Sequence, residues 1–199
     1  MGRPRGYDVE DVLHRAAVQF CRHGYEGTSM QDLVAVLGVH RGSLYSRFGS
    51  KKGLFLQALD RYWTDALAPW REELAGLASA AGPVLPVLEQ LLCPPVRATD
   101  EGTGLRLLVR AAVEDAAADD AVRGRLERWS AELTQSIAAA LHRADHLGEL
   151  RADVTPECLA GPLLTATLGG QVQAGIRPGS PSTEHLHALL ALVRRPDGP

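Results

Sequence analysis

Apolar residues recur every three or four positions along almost the whole of this 199-residue chain, and no sustained every-second-residue alternation interrupts them. A helix needs the first spacing to bury one face, and a strand needs the second, so an all-α fold of about nine helices is expected. The first stripe runs from Asp8 to about His23 through Val9, Val12, Leu13, Ala16, Ala17 and Phe20, and Gly24 supplies its stop. The longest lies in residues 119–147, where Val122, Leu126, Trp129, Leu133, Ile137, Ala140, Ala144 and Leu147 form one seam before Gly148.

Between these stripes the punctuation is informative. Thr28-Ser29-Met30-Gln31 reads as a capping box opening a second helix, with Thr28 and Gln31 answering each other's end groups. Met30, Leu33, Val34 and Leu37 give that helix its buried face, and Gly38 ends it. Only Val39-His40 separates it from a third short pattern, Arg41 to Phe48. Two short helices joined by a tight glycine-containing turn are the helix-turn-helix signature, here spanning about residues 28–48. After Gly49-Ser50 a long helix is expected from Lys51 to about Leu77, kinked at Pro69. Apolar segments at 83–93 and 105–118 flank a Pro- and Gly-rich loop, Pro94 to Gly104. Thr155-Pro156-Glu157 then opens a helix to about residue 176 that is rich in small residues (Gly161, Ala166, Gly169, Gly170, Ala174, Gly175). A last helix over Thr183–Val193 precedes a frayed tail, Arg194–Pro199.

Net charge is only −3, but it is unevenly spread. Residues 1–55 hold eight Lys/Arg against five Asp/Glu, and the remainder thirteen against nineteen, so a basic head is joined to an acidic body. No apolar run is long enough for a membrane span. The basic start, Met1-Gly2-Arg3-Pro4-Arg5, leads into an amphipathic pattern rather than an apolar signal core. Three scattered cysteines, Cys21, Cys93 and Cys158, make no disulfide framework and fit the cytoplasm. Phosphate-binding glycine loops, nucleophile elbows and paired carboxylate-histidine motifs are all missing, so neither an enzyme nor a cofactor is expected.

The chemistry concentrates in residues 28–52. Leu44, Val39 and Phe48 can hold the third helix against the first two, while Arg41, Gly42, Ser43, Tyr45 and Arg47 crowd it with groups no core requires. Arg41, at the helix start, is placed to reach guanine edges in a major groove. Gly42 costs roughly 1 kcal/mol of helix propensity, which suits backbone passing close to DNA. Ser43 is expected on a base or a phosphate, Tyr45 as a phosphate anchor, and Thr28 on a phosphate at the start of the second helix. Lys51 and Lys52 sit where the helix dipole disfavours cations, which a phosphate there would reverse. Arg3 and Arg5 suit an arm in the minor groove.

The motifs Gly24-Tyr25-Glu26-Gly27-Thr28-Ser29-Met30, Gly38-Val39-His40-Arg41-Gly42-Ser43-Leu44-Tyr45 and Phe48-Gly49-Ser50-Lys51-Lys52-Gly53-Leu54-Phe55 together resemble the DNA-binding domain of the tetracycline-repressor (TetR) family. The resemblance covers about residues 6–66; His40 and Arg47 depart from the family's usual small polar cap and histidine. It implies a helix-turn-helix domain over 6–66 and a ligand-binding and dimerisation domain over 67–194. It also implies a small-molecule effector; Trp63, Leu67, Trp70, Leu108, Val109, Ala112 and Val113 are the candidate lining, with plain core packing an equal alternative for each, and Arg110 or Glu114 is the candidate charge selector. The expected assembly is a homodimer through helices 119–147 and 155–176, with two recognition helices about 34–36 Å apart on a palindromic double-stranded operator.

Other readings compete. A helical carrier or enzyme-like protein that has lost DNA binding, or an activator, would share the pattern. His142 and His146 stand one turn apart near Asp145, Glu149 and Cys158, a spacing that permits a metal, although a polar helix face is the expected use. Cys93 and Cys158 are expected to be ordinary half-buried thiols rather than oxidant sensors.

Overall fold

A computed structural model describes residues 7–92, 105–115, 118–176 and 184–196. Among them run ten α-helices: α1 Val9–His23, α2 Met30–Leu37, α3 Arg41–Phe48, α4 Lys51–Arg61, α5 Ala68–Gly76, α6 Leu85–Leu92, α7 Arg106–Glu114, α8 Asp120–His146, α9 Pro156–Ile176 and α10 Glu184–Val193. No helix among the described residues is long and apolar enough to cross a membrane. Arg3, Arg5, Cys93 and the 94–104 loop lie outside the described residues.

The chain divides into two compact units. The first takes the described residues up to Leu67 together with Arg106–Leu126. Its scaffold is α1, packed against α2, α4 and α7. Asp8 caps α1 by accepting from the Glu10 N–H at 2.9 Å, and Gly24, at φ 76°, ends it with a bond to Phe20 O. Val12, Leu13, Ala16, Ala17, Phe20 and Cys21 form its buried face, as the stripe required. Phe20, Tyr25 and Phe55 meet in an aromatic cluster, with ring centroids 4.9 Å apart for Phe20–Phe55 and for Tyr25–Phe55. From α7, Arg110 donates to the carbonyls of Cys21 and Arg22, satisfying the end of α1, and pairs with Glu114 at 2.7 Å. Both residues therefore serve the scaffold.

The long helix expected from Lys51 to Leu77 is broken. After α4 comes a π-turn, Tyr62–Ala66, closed by the Leu67 N–H on Tyr62 O at 3.1 Å, and α5 starts afterwards with Pro69 in its first turn. Proline lacks an N–H and its ring collides with the carbonyl four residues back, so the ladder reorganises before Pro69 rather than at it.

The second unit comprises the described residues from Ala68 to Leu105 and from Glu127 onward. Here α6, α9 and α10 pack on one another. Glu149 is 4% exposed, and its carboxylate accepts the N–H groups of Val84 and Leu85 at 2.7 and 2.8 Å. An acidic side chain thus caps the start of α6 from 64 residues away. Arg143 donates to Ala80 O at 2.7 Å, and the Trp70 indole to Leu91 O at 2.8 Å. The expected frayed tail begins otherwise. Arg194 forms an antiparallel bridge with Leu150, and the Arg195 N–H bonds Glu149 O at 2.8 Å, so residues 194–195 are held by backbone pairing.

Candidate nucleic-acid interface

The expected helix-turn-helix is formed by α2 and α3. Its cap differs by one residue from the sequence reading. Ser29, not Thr28, is the N-cap of α2, and Asp32, not Gln31, completes the box: Ser29 Oγ accepts from the Asp32 N–H at 3.1 Å, and Asp32 accepts the Ser29 N–H at 2.8 Å. The Ser29 hydroxyl also donates to the Asp32 carboxylate at 2.6 Å, and these bonds hold that carboxyl below its ordinary range. Thr28 is fully buried, and its hydroxyl donates to Gly24 O at 2.7 Å. That bond employs the hydroxyl proton inside the protein, which leaves Thr28 poorly placed for a phosphate.

Gly38 turns the chain at φ 66°, ψ 21° and donates to Val34 O, and Val39 drops into the core. Arg15 of α1 donates to the Val36 and Leu37 carbonyls, covering the end of α2. His40 precedes α3 without a side-chain cap, as its departure from a small polar residue implies. Leu44 and Phe48 are buried, so the opposite face of α3, with Arg41, Gly42, Tyr45 and Ser46, is left in solvent. Ser43 and Arg47 flank it half-exposed. Ser46 escaped the sequence reading although it lies one residue beyond Tyr45 on the same face; the burial of Leu44 and Phe48 places it there by period alone.

The basic residues have different duties. Arg41 reaches only along its own helix, with its guanidinium 5.5 Å from the Tyr45 ring centroid and a 3.4 Å contact to the phenol oxygen. Arg47 leans on Phe48 and donates to Gln57 at 3.3 Å. Lys51 donates to Tyr25 O at 2.9 Å and stands 4.1 Å over the Tyr25 ring. Lys52 pairs with Asp119 at 2.5 Å, and that bond holds the Asp119 carboxyl low. Ser50 caps α4 through the Gly53 N–H at 3.0 Å.

Two glycines in this stretch have opposite reasons. A Cβ on Gly53 would fall 2.0 Å from Phe48 O, so the fold itself demands glycine. A Cβ on Gly42 would meet nothing within 4 Å, so no internal contact explains it.

The expected effector residues are not all brought together. Trp63, Leu67 and Leu108 are buried and Val109 is half-buried, whereas Ala112 is exposed and Val113 is 76% exposed. The buried face of α7 is Leu107, Leu108 and Ala111, one step out of phase with the expected one, so Ala112 and Val113 face water. Trp70 belongs to the second unit. Two clefts in the first unit, of about 460 and 190 Å³, include none of the seven. His142 pairs with Glu157 at 2.6 Å, and Glu149 is committed to α6. Cys158 is exposed, not half-buried.

Comparison with known proteins agrees with this architecture. The family described as bacterial regulatory proteins, tetR family, matches residues 12–58. The chain is 34% identical over 157 residues to the uncharacterized HTH-type transcriptional regulator YezE of Bacillus subtilis, covering 78% of this chain and 79% of that one. It is 29% identical over 186 residues to the HTH-type transcriptional repressor AcnR of Corynebacterium diphtheriae, covering 92% and 88%. A TetR family transcriptional regulator, CifR, solved as a cysteine mutant complexed with a 26-bp double-strand operator DNA, superposes with a TM-score of 0.79 at 30% identity, covering 96% of this chain and all of that one. The chain belongs to the tetR family of bacterial transcriptional regulators.

Proposed function

We propose that this regulator is a cytoplasmic homodimeric repressor that reads a palindromic operator through α3 and is released by a small-molecule effector. The observation that carries the reading is the solvent face of α3. Arg41, Gly42, Tyr45 and Ser46 stand there side by side, and Gly42 has no internal contact that requires it. Arg41 would meet a guanine, Gly42 would admit the backbone close to a groove wall, and Tyr45 with half-exposed Ser43 and Arg47 would settle on the sugar-phosphate edge. Lys51 keeps two ammonium protons beyond its bond to Tyr25 O, enough to serve a phosphate as well. Thr28 leaves the contact set. Repression is favoured over activation by the names of relatives such as AcnR.

The dimer reading draws on α9. Cys158, Pro162, Thr165, Gly169, Val172 and Ile176 follow one another at helical spacing and are all exposed, giving an uncharged stripe along the helix. A Cβ on Gly169 would meet nothing within 4 Å inside the chain. Val172 and Ile176 are 45% and 64% exposed, so a second copy would remove their apolar surface from water. The seam expected on α8 is mostly buried within the chain at Val122, Trp129, Leu133, Ile137, Ala140 and Ala144, which leaves its other face for the partner. For the effector, Trp63, Leu67, Leu108 and Val109 keep their place as lining residues.

The decisive experiment is selection of duplexes from a random pool by the purified chain. Wild type should enrich a palindrome, and Arg41→Ala should lose preference at one position of each half-site, by about 1–3 kcal/mol. Binding that is absent at low salt, or preferences unchanged by Arg41→Ala, would remove α3 from the reading role.

A further inference from the structure

Within the first unit, one ion pair ties the start of α4 to the start of α8. Lys52, in the first turn of α4, meets Asp119 at 2.5 Å, and the two side chains remain 48% and 20% exposed. The two oxygens of Asp119 have separate duties. One takes the Lys52 ammonium, and the other accepts the Ala121 N–H at 2.9 Å at the start of α8. The carboxylate is therefore positioned by α8 as well as by the lysine.

Stability does not explain the pair. An ion pair this open to water contributes little, and the helix dipole disfavours a cation in the first turn of α4. A lysine placed there calls for an anion, and two kinds can answer it: a carboxylate of the protein or a phosphate of the operator. Both are near at hand, because α3 ends at Phe48, only four residues before Lys52, and packs on α4. The neighbouring lysine shows the difference. Lys51 rests on neutral groups, the Tyr25 carbonyl at 2.9 Å and the Tyr25 ring, so its charge stays uncancelled. The partner of Lys52 is an anion, and Glu26, Glu114 and Asp115 line the same cleft, so carboxylates outnumber the cation there.

We propose that Asp119 is a positioning residue for operator affinity: it holds the Lys52 ammonium on the protein, and the phosphate backbone of the operator competes with it for that cation. This rests on operator binding by α2 and α3 as read above. Asp119 touches no nucleotide; it acts through Lys52 by withholding one positive charge from the duplex. Because its other oxygen caps α8, the restraint travels with that helix. A displacement of the α8 start carries the carboxylate away from Lys52 and frees the ammonium for a phosphate, whereas the present contact keeps one phosphate unneutralised. The strength of operator binding is thus set partly by a residue outside the helix-turn-helix.

The test measures binding of the full chain to the palindrome that wild type enriches, and to a mixed-sequence duplex, between about 50 and 200 mM salt. Asp119→Asn removes the charge but keeps an oxygen able to cap α8, and Asp119→Ser is a second neutral cap. Each should bind both duplexes about threefold or more tightly than wild type at low salt. Each should also steepen the log–log salt slope by about 0.9, the mark of one more phosphate neutralised. A merely structural role for Asp119 would leave that slope where it is. In a Lys52→Gln background Asp119→Asn should give neither change, and Glu72→Gln, which removes an exposed charge in the second unit, should leave the slope at its wild-type value. A gain that persists without Lys52 would mark general charge repulsion and overturn the role. So would an unchanged slope in both neutral variants; if Arg41→Ala still altered the palindrome's base preference, the operator reading would stand without it. No duplex binding by wild type at low salt would overturn both.

Discussion

The start of α3 and the start of α4 lie ten residues apart, are both basic and both carry a glycine within their first three residues, yet they use these features in opposite ways. At α3, Arg41 and Gly42 are exposed and make no contact that the fold needs. At α4, Lys51 is bound to Tyr25, Lys52 to Asp119, and Gly53 sits against Phe48 O. A positive charge out of place on a helix is thus no direct sign of a nucleic-acid contact. What distinguishes the two ends is whether the protein supplies an internal partner, and that partner comes from a distant part of the chain.

The contrast breaks most visibly at the glycines. Gly53→Ala should destabilise the chain by about 1–3 kcal/mol in denaturant unfolding, because its methyl group must displace the Phe48 carbonyl. Gly42→Ala should leave stability unchanged or raise it by up to about 1 kcal/mol, while weakening operator binding. Equal stability losses at the two sites would erase the distinction between them.

The next test concerns the acid beneath the lysines. Asp115 holds its proton up to about pH 6 when folded, against an ordinary value of 3.8 when unfolded. Between those values the folded chain binds the extra proton, so this residue's contribution makes stability fall as pH rises from about 4 to 6 and level off above. Solvent around the group reduces the effect to the order of 1 kcal/mol. Asp115→Asn should therefore be more stable than wild type above pH 6, and the gap should close toward pH 4. A constant gap across that range would refute the shifted titration.

Smallest is the loss at Lys51. Lys51→Met should cost about 0.5–1 kcal/mol of stability through the lost bond and ring contact at Tyr25, whereas Arg41→Ala should stay within about 0.5 kcal/mol of wild type. Melting curves of the two purified variants decide it, and a reversed order would mean that Arg41, not Lys51, is the structural cation.

These residues also mark how far the sequence could be read. Several local features were legible: the stripe of α1, the glycine turn at Gly38, the extent of α3, and Pro156 opening α9. Errors of one residue arose where two registers had equal local merit. Thr28/Gln31 and Ser29/Asp32 both have the capping spacing, and only the burial of Thr28 separates them. The nine residues of α7 likewise admit two apolar phases, and its packing on α1 chose the one that leaves Val113 in water. The pairs that define the interface's charge state were out of reach altogether. Nothing in the neighbourhood of Lys52 announces Asp119, and nothing near Glu149 announces the start of α6.

Glu149 has a further consequence for how the protein is made. Its side chain holds residues 84–85 and its carbonyl holds Arg195, so three stretches of the second unit meet at one residue. Contacts of that sequence separation form late, because the chain between residues 84 and 195 must be gathered before they close. Helices α1 to α4 meet one another at shorter separations, and the first unit is complete once residues 106–126 arrive to satisfy the end of α1 and pair with Lys52. Truncation before Arg195 would remove its tie to Glu149 and leave the second unit's apolar helices more open to aggregation and proteolysis.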